Sequence, residues 1–191
     1  MEPDKSGIIQ EACGVLQKSG AEKARQLIQA QYPFDPQPRA ERSSSTRKKM
    51  ETFYRDGFID RYTGQRLVCQ GVLHVLSTEL GPKTFPYHLN WRMDKGHMAY
   101  WHLAPTIDHV IPIARGGIDE PSNWVTASQV TNSSKSNFTI EELGWQLVPA
   151  GDPAEWDGLV GWFLEYVAAN PQVEEDRRVL DWVKEARRVV D

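Results

Sequence analysis

Residues 106–137 hold the side chains best suited to chemistry. They read Thr-Ile-Asp-His-Val-Ile-Pro-Ile-Ala-Arg-Gly-Gly, then Ile-Asp-Glu-Pro-Ser-Asn-Trp-Val-Thr-Ala-Ser-Gln-Val-Thr-Asn-Ser-Ser-Lys-Ser-Asn. Asp108 and His109 are neighbours. A carboxylate suits a hard, oxygen-seeking cation such as Mg²⁺. A neutral imidazole suits general-base work near pH 7. Asn132 adds a neutral amide oxygen, and Lys135, three residues on, could hold a phosphate as a point charge. Asn137 is the alternative to Asn132, which is preferred because it falls one turn before Lys135 at the start of a helix.

Positioning these groups requires particular elements. Thr106 to Ile113 is rich in β-branched residues and reads as a strand. Gly116-Gly117 lets the chain reverse, and Trp124-Val125-Thr126 reads as a second strand. The Ser/Asn/Lys-rich run after it starts a helix near Ser128. Neighbouring strand residues point to opposite faces, so Asp108 and His109 share a site only where the strand bends or ends. Pro112 and the loop beyond it supply that end.

This ordered set resembles the HNH, or ββα-metal, nuclease family. The residues that carry the likeness are Asp108-His109, Gly116-Gly117, Asn123, Asn132 and Lys135, over about residues 100–145. Ile59-Asp60-Arg61-Tyr62-Thr63-Gly64 and the stretch from Thr139 to Trp145 also look like sequence beside such cores. The resemblance implies a small ββα-metal core, embedded between N-terminal and C-terminal helices in an α+β protein. It implies a metal-dependent endonuclease acting on double-stranded DNA. His109 would take a proton from the attacking water, and Asp108 and Asn132 would hold one divalent cation. Asn123, the family's middle position and so counted with His109 in the catalytic pair, would bond across the loop to keep His109 aimed. The third family position is often histidine. Asparagine there favours Mg²⁺ or Mn²⁺ over zinc-like metals. The Cys-x-x-Cys pairs of many relatives are missing, so no structural zinc is expected.

The 191 residues are 40% hydrophobic and 25% charged, enough for a core in one domain with helical extensions. Cys13 and Cys69 cannot build a disulfide framework. The longest apolar run, Gly158 to Leu164, is far short of the ~20 residues of a membrane span. No signal-peptide pattern opens the chain, and a cytoplasmic location is expected. The net charge is −4, which argues against a protein that grips nucleic acid over its whole surface. The charge is uneven: residues 151–191 hold ten acids and five bases, whereas residues 39–55 hold six bases against Glu41 and Glu51. Arg47, Lys48 and Lys49, on a helix near Thr46 to Arg55 that Gly57 would end, are therefore expected to contact DNA phosphates. Arg115 is a further candidate.

The predicted organisation is a helical region with the basic helix over 1–57, a core with a loop-rich lead-in over 58–145, and a helical pair over 146–191. Ser6 reads as an N-cap for a first helix, and Ala21 to Gln31 as a second. Pro33, Pro36 and Pro38 then break the pattern, and Ser43-Ser44-Ser45 forms a loop. Residues 58–68 read as a turn centred on Thr63-Gly64, with an apolar helix near Val72 to Leu80. Asp152-Pro153-Ala154-Glu155 has a capping-box pattern opening a helix striped by Trp156, Leu159, Val160, Phe163 and Val167. A last helix over about Val173 to Val190 faces Val179, Leu180, Val183, Ala186 and Val190 inward. Trp162 and Trp182 are assigned to the core. His88, His97 and His102 read as hydrogen-bonded loop residues and His74 as a surface or core-edge residue. Cutting both strands with one such core would favour a homodimer. The rival readings are a ββα module that binds nucleic acid without cutting it, and an interaction protein that uses its helical flanks.

Overall fold

A computed structural model describes residues 4–34 and 45–190. Pro36, Pro38, Arg39, Arg42, Ser43 and Ser44 lie outside the described residues. The chain divides into two units, residues 1–39 and 40–191. The basic helix, grouped in the sequence with the N-terminal helices, belongs to the second unit.

In the first unit α1 (Lys5–Ser19) packs on α2 (Ala21–Gln31). The cap of α1 is Asp4 rather than Ser6: its carboxylate accepts from the Ser6 backbone N–H. Among the described residues of this hairpin only Ala12 and Ala24 are buried, and Ile9, Leu16 and Phe34 are exposed.

The second unit is α+β. Its helices in chain order are α3 (Thr46–Arg55), α4 (Gln70–Leu80), α5 (Ala99–His102), α6 (Gln129–Lys135), α7 (Ile140–Leu143), α8 (Val160–Ala169) and α9 (Arg177–Val190). Its two strands, β1 (Pro105–His109) and β2 (Trp124–Ser128), pair antiparallel, with Asp108 opposite Val125 and His109 opposite Trp124. Short 3₁₀ turns at Ile113–Arg115, Pro121–Asn123 and Pro171–Glu175 join the elements. The order β1, loop, β2, α6 follows the sequence reading, but β1 stops at His109 and the expected continuation to Ile113 becomes a 3₁₀ turn.

Helix α3 forms because Ser45 caps it, its hydroxyl accepting from the Lys48 N–H. It buries Met50 and Phe53 in a core shared with Val72 and Val75 of α4, Phe163 and Val167 of α8, and Val179, Trp182 and Val183 of α9. A smaller aromatic cluster gathers Leu73, Phe85, Tyr100 and Ala104.

The free edge of β2 is closed by an unusual device. The fully buried carboxylate of Asp56 accepts from the Thr126 N–H at 2.8 Å, and that of Asp60 from the Ser128 N–H at 2.9 Å. Between them the Arg61 N–H donates to the Thr126 carbonyl at 2.8 Å. Arg55 and Arg61 offset the Asp56 charge. The segment after α3 thus replaces a third strand and satisfies backbone groups that would otherwise template pairing.

Two expectations for the C-terminal region change. Asp152 starts only a turn, and α8 begins at Val160. The interruption has a tertiary cause. A Cβ on Gly158 would lie 2.3 Å from the Phe58 ring, and the Gly158 carbonyl accepts from the Cys69 N–H at 2.9 Å. The backbone there is used for packing, with φ of +69°, and the Asp157 carboxylate caps α8 through the Gly161 N–H. Trp182 lies in the core as expected, whereas Trp162 is 40% exposed and stacks on Tyr166; Leu180 and Val190 also face solvent. No helix among the described residues is long and apolar enough to cross a membrane.

Candidate active site

The termination of β1 decides the site. Asp108 and His109 both line one polar cavity of about 180 Å³, together with Asp119, Trp124, Asn132 and Asn137. The strand ends at His109, so the alternation that would separate the two side chains is not continued.

Asp108 is held through a single oxygen. Its Oδ2 accepts from the Tyr62 hydroxyl at 2.5 Å and from the Lys135 ammonium at 3.0 Å. Burial, and then the Asp108 charge, raise the Tyr62 pKa well above the ordinary phenol value, so the hydroxyl stays a donor. Oδ1 of Asp108 is the oxygen left for a ligand.

Lys135 departs from its expected role. It does not present a charge to DNA: its side chain is fully buried, and Nζ also donates to the His109 carbonyl at 2.7 Å. It fastens the end of β1 from the last residue of α6, fixing the backbone of His109 and the carboxylate of Asp108 together.

His109 is gripped by a carboxylate that the sequence reading did not single out. Nε2 lies 2.7 Å from Oδ1 of Asp119, and the Trp124 indole nitrogen lies 3.0 Å from the same oxygen and 3.1 Å from Nε2. A carboxylate only accepts, so the consistent assignment has Nε2–H and the indole N–H both donating to Asp119. In the tautomer that donates through Nε2, Nδ1 is the nitrogen with the free lone pair. Asp119 stands ten residues after His109, and nothing in that spacing shows that the loop folds back. Only the presence of a carboxylate inside the strand-loop-strand window could have flagged it.

Asn132 points its amide nitrogen at the strand, donating to Oγ1 of Thr106 at 3.0 Å and to the Ile107 carbonyl at 3.1 Å. Its side chain lines the cavity, and its oxygen takes no part in these two bonds. Asn123 is not among the residues lining the cavity, and its side chain bonds across the loop. Its Oδ1 accepts from the Ile111 N–H, and its Nδ2 donates to the carbonyls of Ile111 and Ile118, all within 2.8–2.9 Å. Gly117 is required beside it, since a Cβ there would sit 1.8 Å from the Ile111 carbonyl oxygen. Asn137 lines the cavity, and its backbone carbonyl accepts from Arg115.

The donor set fits Mg²⁺ or Mn²⁺. It offers one carboxylate oxygen and one amide oxygen in a polar cavity, and Mg²⁺ is commonly held by one or two protein oxygens with water and substrate phosphate completing the shell. Among the described residues no group of three or more His, Cys, Asp or Glu side chains is placed to hold a metal.

The expected basic patch separates into three directions, as consecutive helix residues must. Arg47 is exposed and pairs with Glu51 at 2.8 Å. Lys48 sets its ammonium 5.6 Å from the Trp124 ring centre, beside the cavity. Lys49 is half-buried, with its pKa lowered by burial, and lines a second cleft. Arg115 is half-exposed and bonds Glu142. His88 and His97 accept from the backbone N–H groups of Asn90 and Ala99. His74 is buried rather than at the surface.

No family model, curated protein or solved structure matches this chain.

Proposed function

We propose that the chain is a metal-dependent DNA endonuclease of the HNH, or ββα-metal, type. The observation that carries the reading is the convergence of Asp108, His109 and Asn132 on one polar cavity, with His109 fixed by a carboxylate through Nε2. That is the arrangement of an oriented general base.

In this mechanism Nδ1 of His109 removes a proton from water as its oxygen attacks the phosphorus. The bond from phosphorus to the 3′ oxygen breaks, and that oxygen leaves with the electron pair and takes a proton from solvent water, giving 5′-phosphate and 3′-hydroxyl ends. Asp119 holds the ring in the required tautomer and steadies the imidazolium once it forms. Asp108 and Asn132 would hold a divalent cation, which supplies charge stabilisation to the phosphoryl oxygens and the leaving group. Lys48 and Arg115, at the margins, supply charge for the DNA backbone.

A second reading, a ββα module that binds DNA without cutting, draws on the contact between Lys135 and Asp108, which already partners the charge a cation would need. Incubation with supercoiled plasmid separates the two. Relaxed or linear DNA should appear with Mg²⁺ or Mn²⁺ and not with EDTA. His109→Ala should cut slower by about 10²- to 10⁴-fold. Asp119→Asn should also lower kcat with little change in KM, because its amide N–H would donate to Nε2 and force the proton onto Nδ1; Asp119→Glu should recover part of the rate. Wild-type cleavage by His109→Ala would remove the mechanism, and binding without cleavage in any metal would favour the second reading.

A further inference from the structure

We infer that the cleft beside the candidate active site receives one unpaired nucleobase of the DNA, so that the preferred substrate contains an unstacked nucleotide next to the scissile phosphate. This rests on the nuclease reading and names the substrate feature that site would select. The cleft holds about 650 Å³, within the range of about 300–1,000 Å³ in which small organic groups are bound. It shares Ile107 and Asn132 with the catalytic cavity, so the two are contiguous across β1 and α6.

Its walls combine aromatic rings with amides: Tyr87, Trp91 and Trp101 on one hand, Gln70, Asn90 and Gln129 on the other. Bases drawn out of a stack are recognised by this pair of features, ring faces for stacking and amides for the hydrogen-bonding edge.

The rings are fixed in advance. The Trp101 indole N–H donates to the Trp91 carbonyl at 2.6 Å. Trp91 itself is held at φ +46°, a conformation that is unfavourable for a bulky residue and concentrates at ligand-binding positions. Tyr87 is packed edge-on against His74 at 4.9 Å, lies 5.1 Å from Tyr100 and carries the Arg178 guanidinium 4.7 Å from its ring centre, so it backs the wall while Trp91 and Trp101 are the rings left for stacking. Lys49 reaches the same cleft from α3, which places a cation where the phosphate of a displaced nucleotide would pass. Leu89, an apolar side chain at its lining, is 78% exposed.

The test is fluorescence anisotropy with the full chain in EDTA, so that nothing is cut. The probes are a labelled duplex with a single bulged adenosine and the fully paired duplex of the same sequence. Adenine is chosen because Asn and Gln match its donor–acceptor edge. The bulged duplex should bind about 5- to 150-fold tighter, the value of stacking one base. Trp101→Ala should bring that ratio close to one, and Trp101→Phe should keep most of it. Should Trp101→Ala not fold, Gln129→Ala, on the first turn of α6, carries the comparison and should lower the ratio. Equal binding of the two duplexes by the wild type, or a ratio unmoved in the folded variants, overturns the inference. Plasmid cleavage without a bulge preference would overturn the cleft alone. A bulge preference lost in Trp101→Ala, without cleavage in any metal, would sustain the cleft and remove the nuclease reading.

Discussion

Lys135 is a lysine with no exposed side-chain surface, and its ammonium contacts a carboxylate and a carbonyl and lies 5.8 Å from the Tyr62 ring centre. Burying an ammonium is costly unless it is paired, and removing one partner of a buried pair leaves the other charge stranded. Lys135→Met should therefore destabilise the protein by about 3–5 kcal/mol, measured by chemical denaturation. Adding Asp108→Asn in the same chain should recover part of the loss, since the stranded carboxylate is gone. The sequence reading made the same lysine a phosphate contact, and the two roles separate cleanly. A phosphate contact would lower the slope of log affinity against log salt by nearly one when removed, whereas a buried anchor leaves the slope unchanged. A stable Lys135→Met protein with a flattened salt dependence would reverse the assignment. The residue type and its position three after Asn132 were visible in the sequence. Its direction was not, because α6 turns that face under β1 rather than outward.

The β1–β2 connection is an element whose shape depends on one side chain. Asn123 makes three hydrogen bonds into it, and Asp119, which orients His109, hangs from the same loop. At about 1 kcal/mol each, loss of the three bonds in Asn123→Ala should speed hydrogen exchange at the Ile111 N–H by about 100-fold. It should slow the proposed DNA cleavage while the amides of α4 and α9 keep their protection. Wild-type exchange at Ile111 would show that other contacts hold the loop. Elements with local instructions were legible: α3 runs over the predicted Thr46–Arg55, α6 starts after the Ser128 cap, and Gly57 leaves α3 at positive φ. Where local instruction met a tertiary demand, the demand won. Asp152-Pro153-Ala154-Glu155 is a sound helix start, yet the approach of Phe58 to Gly158 stops the helix one turn later. Of the candidate site, Asp108, His109 and Asn132 were legible because their spacing lies within one strand-loop-strand-helix unit. Asp119, Tyr62 and the buried Asp56 and Asp60 were not, since their roles come from segments folded back across that unit.

At the scale of the second unit, two ionisable groups packed near each other set stability in different pH windows. His74 is 5% exposed, with Tyr87 and Tyr100 against its ring. Burial first, then the Arg178 guanidinium, push its pKa down to about 4, with Asp176 opposing. In the unfolded chain the imidazole titrates near 6.5. Between those values the unfolded state binds a proton that the folded state refuses, so stability is complete above pH 6.5 and falls as the pH drops towards 4. Asp176 behaves otherwise. Its hydrogen bond with Arg178 holds its pKa below the ordinary 3.8, so its contribution persists throughout that interval and is lost only in stronger acid. Urea unfolding of the wild type should therefore show a fall of about 2–3 kcal/mol between pH 7 and pH 4.5 from His74. In His74→Phe, which keeps an aromatic ring beside Tyr87 and Tyr100, that part of the fall should vanish while the collapse at lower pH remains. An equal fall in both proteins would mean that the folded chain does not resist protonation of the imidazole, and that burial beside Tyr87 and Tyr100 does not set the stability in this interval.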